Sequence, residues 1–263
     1  DWITRRLGRT LKIKTVMVRD PAKARNVVLP PDTLFTTSMV DLLNDPEIDM
    51  VVELAGGIDF PRTLITRALQ AGKPVVTANK ALLAEHGSEL FELAAANGLG
   101  LYYEASVAGG IPIIQTLKES LAANRISSIT GILNGTANFI MSEMTEKGED
   151  FAKVLGKAQA KGYAEADPTL DIEGIDAAHK LTILIRLAYG LDFPMSGLTV
   201  KGISKVEQFD ISLAREFGYR VKLLAQVREE SGMLHAGVYP ALLRRDHILA
   251  NVEGPFNAVL LEG

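Results

Sequence analysis

The sequence predicts an α/β protein in two parts. Short apolar runs alternate with helical patterns over residues 1–104, which argues for a parallel sheet with helices packed on it. Beyond Glu104 the character changes to longer helices followed by paired strands, the signature of a second, α+β part.

Taken in order, residues 2–7 form a first helical stretch with no strand before it. Residues 11–18 read as a strand and residues 49–54 as the next. A helix starting near Phe60 closes between Ala68 and Gly72, residues 73–77 form a strand, residues 80–97 a helix, and residues 99–103 a strand. In the second part, residues 111–121 look helical, residues 125–133 look like a strand, and long helices follow between residues 137 and 189. Residues 220–228 and 233–239, joined through Ser231-Gly232, suggest antiparallel strands. The boundary is expected near residue 104, dividing the chain into 1–104 and 105–263, with the last part free to return to the first domain.

Composition narrows the function classes. The 263 residues can bury a sizeable core, and 47% hydrophobic with 23% charged residues is ordinary for a globular protein. A net charge of -4 gives no reason to expect nucleic acid or an anionic membrane as partner. Cysteine is absent, which excludes thiolate nucleophiles and cysteine metal sites and fits a reducing, cytoplasmic setting. No apolar run reaches the roughly 18 residues that span a bilayer, and the opening residues do not form a signal peptide. His86, His179, His235 and His247 are scattered without metal-ligand spacing.

The densest chemistry lies in residues 161–180. Glu165, Asp167, Asp171, Glu173, Asp176 and Lys180 crowd into one loop and the start of a helix whose continuation, residues 181–189, is apolar on nearly every side. Such a helix lies inside a protein. Asp176 and Lys180, four residues apart on one face, would therefore open into a partly closed cavity, where charges are seldom left without a task or a partner. An ordinary ion pair on a solvated helix end, worth roughly 0.3–0.5 kcal/mol, is the plainer alternative.

Several loops add weaker signals. Residues 51–57 leave a strand through Gly56 and Gly57, which lets backbone approach a ligand closely. Residues 74–80 place Asn79 as a helix N-cap and Lys80 at the helix start, where a cation opposes the macrodipole and a functional reason is favoured over a plain surface lysine. Ligands of open α/β sheets bind at that carboxyl edge. Residues 104–112 are rich in small residues and expose backbone to a ligand or a hard cation. Residues 131–138 leave a strand through Gly135-Thr136 into a helix. Either of the last two, alone, reads as a structural turn.

In combination the segments Val52-Glu-Leu-Ala-Gly-Gly57, Thr77-Ala-Asn-Lys80, Tyr103-Glu-Ala-Ser-Val-Ala-Gly-Gly-Ile-Pro112, Gly131-Ile-Leu-Asn-Gly-Thr136, Gly162-Tyr-Ala-Glu-Ala-Asp-Pro168 and Asp171-Ile-Glu-Gly-Ile-Asp-Ala-Ala-His-Lys180 resemble homoserine dehydrogenase in order and spacing. The family's opening strand with its GxGxxG fingerprint and the glycine-rich loop that follows position 263 have no counterpart, so the chain reads as a partial copy. The resemblance implies an incomplete Rossmann-type nucleotide-binding domain followed by an α+β catalytic and oligomerisation domain.

It further implies hydride transfer between a nicotinamide cofactor, NADP or NAD, and C4 of aspartate semialdehyde, giving homoserine for threonine and methionine biosynthesis. Lys180 matches the family's proton donor, and Lys80 a second lysine beside the carbonyl and nicotinamide. Asp176 would orient Lys180 or bind substrate, Glu165 would bind the substrate amino group, and Gly135 and Thr136 complete the substrate contacts. Gly56, Gly57, Thr77, Asn79 and Lys80 fall on the cofactor side. Arg19 favours the 2′-phosphate of NADP, whereas the neighbouring Asp20 suits the ribose hydroxyl of NAD. A monovalent cation, sodium, is implied at the carbonyls of Glu104, Val107, Gly109 and Ile111, as is a homodimer or larger assembly. His179 points about a third of a turn away from Lys180 and reads as structural or solvated. The rivals are another two-domain nicotinamide-dependent reductase and a non-catalytic α/β binding protein. A reductase of the aspartate-semialdehyde type needs the cysteine this chain lacks, and the binding protein would leave Lys80 and Lys180 far apart.

Overall fold

A computed structural model describes residues 2–263 as two compact units, residues 2–77 with 89–102 and residues 78–88 with 103–263. The first unit opens with α1 (Trp2–Leu7), followed by β1 (Thr15–Met17) and β2 (Leu34–Thr36), which pair in parallel. After α2 (Met39–Leu43) come β3 (Val51–Glu53), α3 (Asp59–Gln70), β4 (Val75–Thr77), α4 (Lys80–Ala96) and β5 (Leu101–Tyr102). The strands β3, β4 and β5 run parallel in that order, as the alternation predicts. Ile65, Ala68 and Leu69 on α3 are fully buried with Val75 on β4, one apolar stripe of a helix against a strand. Residues 80–88 of α4 cluster with the second unit, and its remaining turns with the first.

The second unit begins with a short helical turn, α5 (Ile113–Gln115), continued by a wider π-type turn over residues 116–120. Then follow β6 (Ser128–Ile132), α6 (Gly135–Lys147), α7 (Phe151–Ala160), α8 (Thr169–Ile172), α9 (Ile175–Tyr189), β7 (Thr199–Val200), α10 (Gln208–Glu216), β8 (Tyr219–Glu230), β9 (Met233–Arg244) and β10 (Ala258–Glu262). The sheet order is β10-β6-β8-β9-β7, with β8 in the middle. Its hairpin partner β9 pairs over the full length from Tyr219↔Arg244 to Glu230↔Met233 across the expected Ser231-Gly232 turn. Val221, Leu223, Ala225 and Val227 of β8 are buried on one face; on the other, Leu224 joins Ile132 and Leu249 in a separate apolar cluster.

The structure trims several sequence expectations. The strand of residues 11–18 is paired only over Thr15–Met17, because β2 offers three partners and Leu11 and Ile13 stand in solvent. The helix of residues 111–121 shrinks, since Pro112 cannot donate and the Leu121 amide reaches back to the Thr116 carbonyl at 2.8 Å. The long helices expected between residues 137 and 189 are four in number, divided around Gly148, Gly162, Pro168 and Gly174, and one of them, α8, is a single turn. Five short elements, β2, α2, β7, α10 and β10, are new. The last of these, β10, pairs antiparallel with β6, from Ala258↔Ile132 to Glu262↔Ser128, within the second unit.

Lys222 is the polar exception in β8. It is 3% exposed, and its ammonium donates to Asn138 Oδ1 at 3.0 Å, Ser142 Oγ at 3.2 Å and the Val252 carbonyl at 2.7 Å, tying α6 to the segment before β10. Burial lowers its pKa from 10.5 to about 8; Arg220 acts in the same sense, against Glu253 and Glu146. The unfolded chain keeps this proton up to its ordinary value while the folded chain releases it near 8, so stability rises with pH between the two. Urea unfolding of wild type and Lys222→Met at pH 7 and pH 10 should show the wild type gaining about 2–3 kcal/mol relative to the variant at the higher pH. A difference that does not change with pH would mean that the buried ammonium costs nothing.

Candidate active site

The amino end of α9 holds the most concentrated charge in the second unit. Gly174 precedes the helix in a left-handed conformation, and the first turn carries Asp176, which is 5% exposed. Lys180 lies one turn on, and its ammonium donates to Asp176 Oδ2 at 2.6 Å and to the Leu133 carbonyl at 2.7 Å. The other carboxylate oxygen, Oδ1, is 2.9 Å from the ammonium of Lys80 at the start of α4. Two lysines a hundred positions apart in sequence thus share one buried carboxylate. Asn79 caps α4 by accepting from the Leu82 amide at 3.1 Å, and this fixes where Lys80 begins the helix. Further along α9, Arg186 donates to the Leu83 carbonyl at 2.8 Å, a second tie between the two helices.

Asn134, which follows β6, closes the cluster. Its amide nitrogen donates to Asp176 Oδ2 at 2.9 Å and to Asp171 Oδ1 at 2.7 Å, while its oxygen accepts from the Ala137 amide at 2.7 Å as the N-cap of α6. Burial opposes ionisation of Asp176, but Lys180, Lys80 and Asn134 outweigh it and hold the carboxyl below the usual carboxylate value. His179 is half-buried, and desolvation lowers its pKa in spite of Asp176 and Glu85, so it stays neutral near pH 7. The shared carboxylate excludes the arrangement expected of a mere binding protein, in which the two lysines stand apart. Chemically, a buried anion that orients two ammonium groups can present one of them to an oxygen as acid or as electrostatic support.

The remaining candidates are distributed as follows. Gly135 and Thr136 begin α6 directly after Asn134. A Cβ on Gly135 would come within 2.6 Å of the Pro255 carbonyl oxygen, so only glycine fits there. The Thr136 hydroxyl donates to the Tyr163 carbonyl at 2.5 Å and anchors the loop that carries Glu165, itself exposed. Glu104 lies in the turn with Val107, Gly109 and Ile111; its carboxylate accepts from the amides of Ile114 and Gln115 at 2.9 Å each. The Ile111 carbonyl accepts from the Ile113 amide at 2.8 Å. Among the described residues no group of three or more His, Asp or Glu side chains could hold a metal ion.

Arg19, Gly56, Gly57 and Thr77 belong to the first unit. Thr77 is 1% exposed and donates to Glu53 Oε2 at 2.6 Å; the other oxygen of Glu53 accepts from the Ala55 amide at 2.7 Å. This buried chain shapes the loop after β3. Gly56 and Gly57 then take φ of 72° and 76°, and no atom lies within 4 Å of where their Cβ atoms would stand. Arg19 is exposed two residues after β1, while the Asp20 carboxylate is engaged by the Ala22 amide at 2.9 Å.

Three participants escaped the sequence reading. Asn134 sat in what passed for a structural turn, Glu53 in what passed for an apolar strand, and the Leu133 carbonyl has no side-chain signal at all. Only for Asn134 was a cue present, a capping residue directly after a strand.

Comparison with known proteins extends the geometry. The family model described as "Homoserine dehydrogenase" matches residues 112–263, and "Homoserine dehydrogenase, NAD binding domain" matches residues 3–104. A homoserine dehydrogenase of Neisseria gonorrhoeae is 49% identical over 259 residues, 98% of this chain and 59% of that protein. The crystal structure of a homoserine dehydrogenase from Thiobacillus denitrificans superposes with a TM-score of 0.94 at 49% identity, covering all of this chain and 60% of that one. A hyperthermophilic archaeal homoserine dehydrogenase in complex with NADPH matches 85% of this chain and 65% of its own with a TM-score of 0.71 at 32% identity. The chain therefore spans about 60% of the length of the relatives named first. With one family model covering more than half of the residues, including the whole Asn134–Asp176–Lys180 cluster, the chain belongs to the homoserine dehydrogenase family.

Proposed function

We propose that the protein catalyses reversible hydride transfer between L-homoserine and L-aspartate 4-semialdehyde with a nicotinamide cofactor. The observation that carries this reading is the pair of ammonium groups on Asp176 in a member of this family. When bound, the nicotinamide supplies or accepts the hydride at C4 of the substrate. As hydride reaches that carbon, the carbonyl oxygen gains the displaced electron pair and needs a proton. Lys180, held by Asp176 and the Leu133 carbonyl, is placed to give it, and in the reverse direction to take it back. Lys80 steadies the growing negative charge on the same oxygen. Asp176 orients both groups. In this reading Glu165 receives the substrate amino group, and Gly135 and Thr136 bound the substrate from the α6 side.

The open glycine pair at Gly56-Gly57 fits a cofactor, because backbone without a Cβ lets a flat ring or phosphate lie close. Thr77 contributes through Glu53, and Asn79 through the helix it caps. NADP is preferred to NAD: Arg19, exposed just after β1, can offer its guanidinium to a 2′-phosphate, whereas one oxygen of the Asp20 carboxylate already accepts from the Ala22 amide. The family relative bound to NADPH supports the same choice. A sodium ion at the carbonyls of Glu104, Val107, Gly109 and Ile111 belongs to this reading, with the second lone pair of the Ile111 carbonyl still available to it. Assembly as a homodimer or larger and a cytoplasmic setting complete it; no helix among the described residues is long and apolar enough to cross a membrane.

In the intact enzyme, Lys180→Ala is expected to lower kcat for homoserine oxidation by about a hundredfold or more while leaving NADPH affinity unchanged. Steady-state kinetics giving a near-normal kcat would remove Lys180 from the mechanism. Asp176→Asn deprives two ammonium groups of their counter-ion at one stroke, so kcat should drop by at least as much as for the Lys80→Ala variant. A smaller drop, read in the same assay, would mean that Asp176 serves the fold alone.

A further inference from the structure

We propose that Asn134 is a positioning residue for the reaction, the carboxamide that fixes the catalytic carboxylate and the acidic α8 turn in one arrangement. The inference rests on the reading of Lys80, Asp176 and Lys180 given above. Asn134 is 5% exposed, and three of its four hydrogen-bonding directions are used: one N–H on Asp176 Oδ2, the other on Asp171 Oδ1, and one lone pair of the carbonyl oxygen on the Ala137 amide. A carboxamide is the one short side chain that can donate twice and accept once in this plane. Aspartate would cap α6 equally well and set a third carboxylate against two others. Serine would also cap it but could donate only once.

The arrangement constrains three elements together. Lys180 approaches the same oxygen, Oδ2, that Asn134 holds, so the amide limits where that carboxylate can swing and hence where the ammonium points. The residue before Asn134 offers its carbonyl to the same ammonium, so the two-residue link between β6 and α6 contacts Lys180 twice over, directly through Leu133 and indirectly through Asp176. The titratable groups around Asp176 are Lys180 and the half-buried, neutral His179 on α9, Lys80 on α4 and, across Asn134, Asp171 on α8; Glu85 acts on His179. Removing the Asn134 donor leaves the two lysines to hold Asp176 alone, which raises its titration midpoint and loosens Lys180.

Asn134→Ser separates positioning from capping, because serine preserves the helix N-cap. In the intact enzyme the variant should melt within a few degrees of wild type. Its kcat for homoserine oxidation should fall about tenfold to a hundredfold, the scale of a lost hydrogen bond to a charged group, with the KM for cofactor unchanged. The acid limb of the kcat–pH profile should move to higher pH. Carboxyl ¹³C NMR of aspartate-labelled protein should show the Asp176 titration moving the same way. An Asp176 titration that stays in place overturns the proposal, as does a loss of kcat that only parallels a loss of Tm. A wild-type enzyme that oxidises no homoserine would refute the proposed function instead, and the NMR titration would still decide the role of Asn134.

Discussion

One buried carboxylate answering to two ammonium groups is the constraint around which the second unit is arranged. Removing Asp176 from water is costly unless the lost hydration is replaced by fixed partners, and here both oxygens are engaged, Oδ2 by Lys180 and Asn134 and Oδ1 by Lys80. Those partners have to come from three separate stretches of chain. Helix α9 must be apolar enough to be buried, α4 must start with a lysine that its own dipole disfavours, and β6 must end in a residue that can cap and donate together. Each local oddity is resolved by the same ion cluster.

The first unit uses a related device on a smaller scale. Glu53, 1% exposed at the end of β3, joins the Thr77 hydroxyl of the neighbouring strand to the Ala55 amide of its own loop. It dictates the path of the backbone into Gly56-Gly57, where the absence of side chains leaves open space. In both units, then, a buried carboxyl group serves as a template for groups that must be held in place, through side chains in one and through main chain in the other.

Much of this was legible in the residues, and the rest was hidden for definable reasons. The spacing of Asp176 and Lys180 in an apolar helix is a local pattern, so it could be read directly. The meeting of Lys80 with Asp176 is a long-range event that no periodicity encodes; it came from the resemblance of ordered motifs. Asn134 stayed hidden because a capping asparagine is the commonest reason for that residue after a strand. Short elements such as β2, β7 and β10 were missed because a few residues carry too little alternation to register, and residues 111–121 misled because Pro112 undercuts an otherwise helical run.

The pairing of β10 with β6 bears on how the molecule comes to be. Ser128 and Glu262 are joined side chain to side chain although 134 positions separate them, and the Ser127 amide meets the Glu262 carbonyl at 2.8 Å. Contacts so distant in sequence are entropically late, because the intervening chain must be gathered in before they reward it. During synthesis the ribosome therefore delivers every charged participant of the ion cluster well before the strand that closes the outer edge of β6. Until β10 arrives, the outer edge of β6 is an unpaired margin of the kind that invites pairing with another strand.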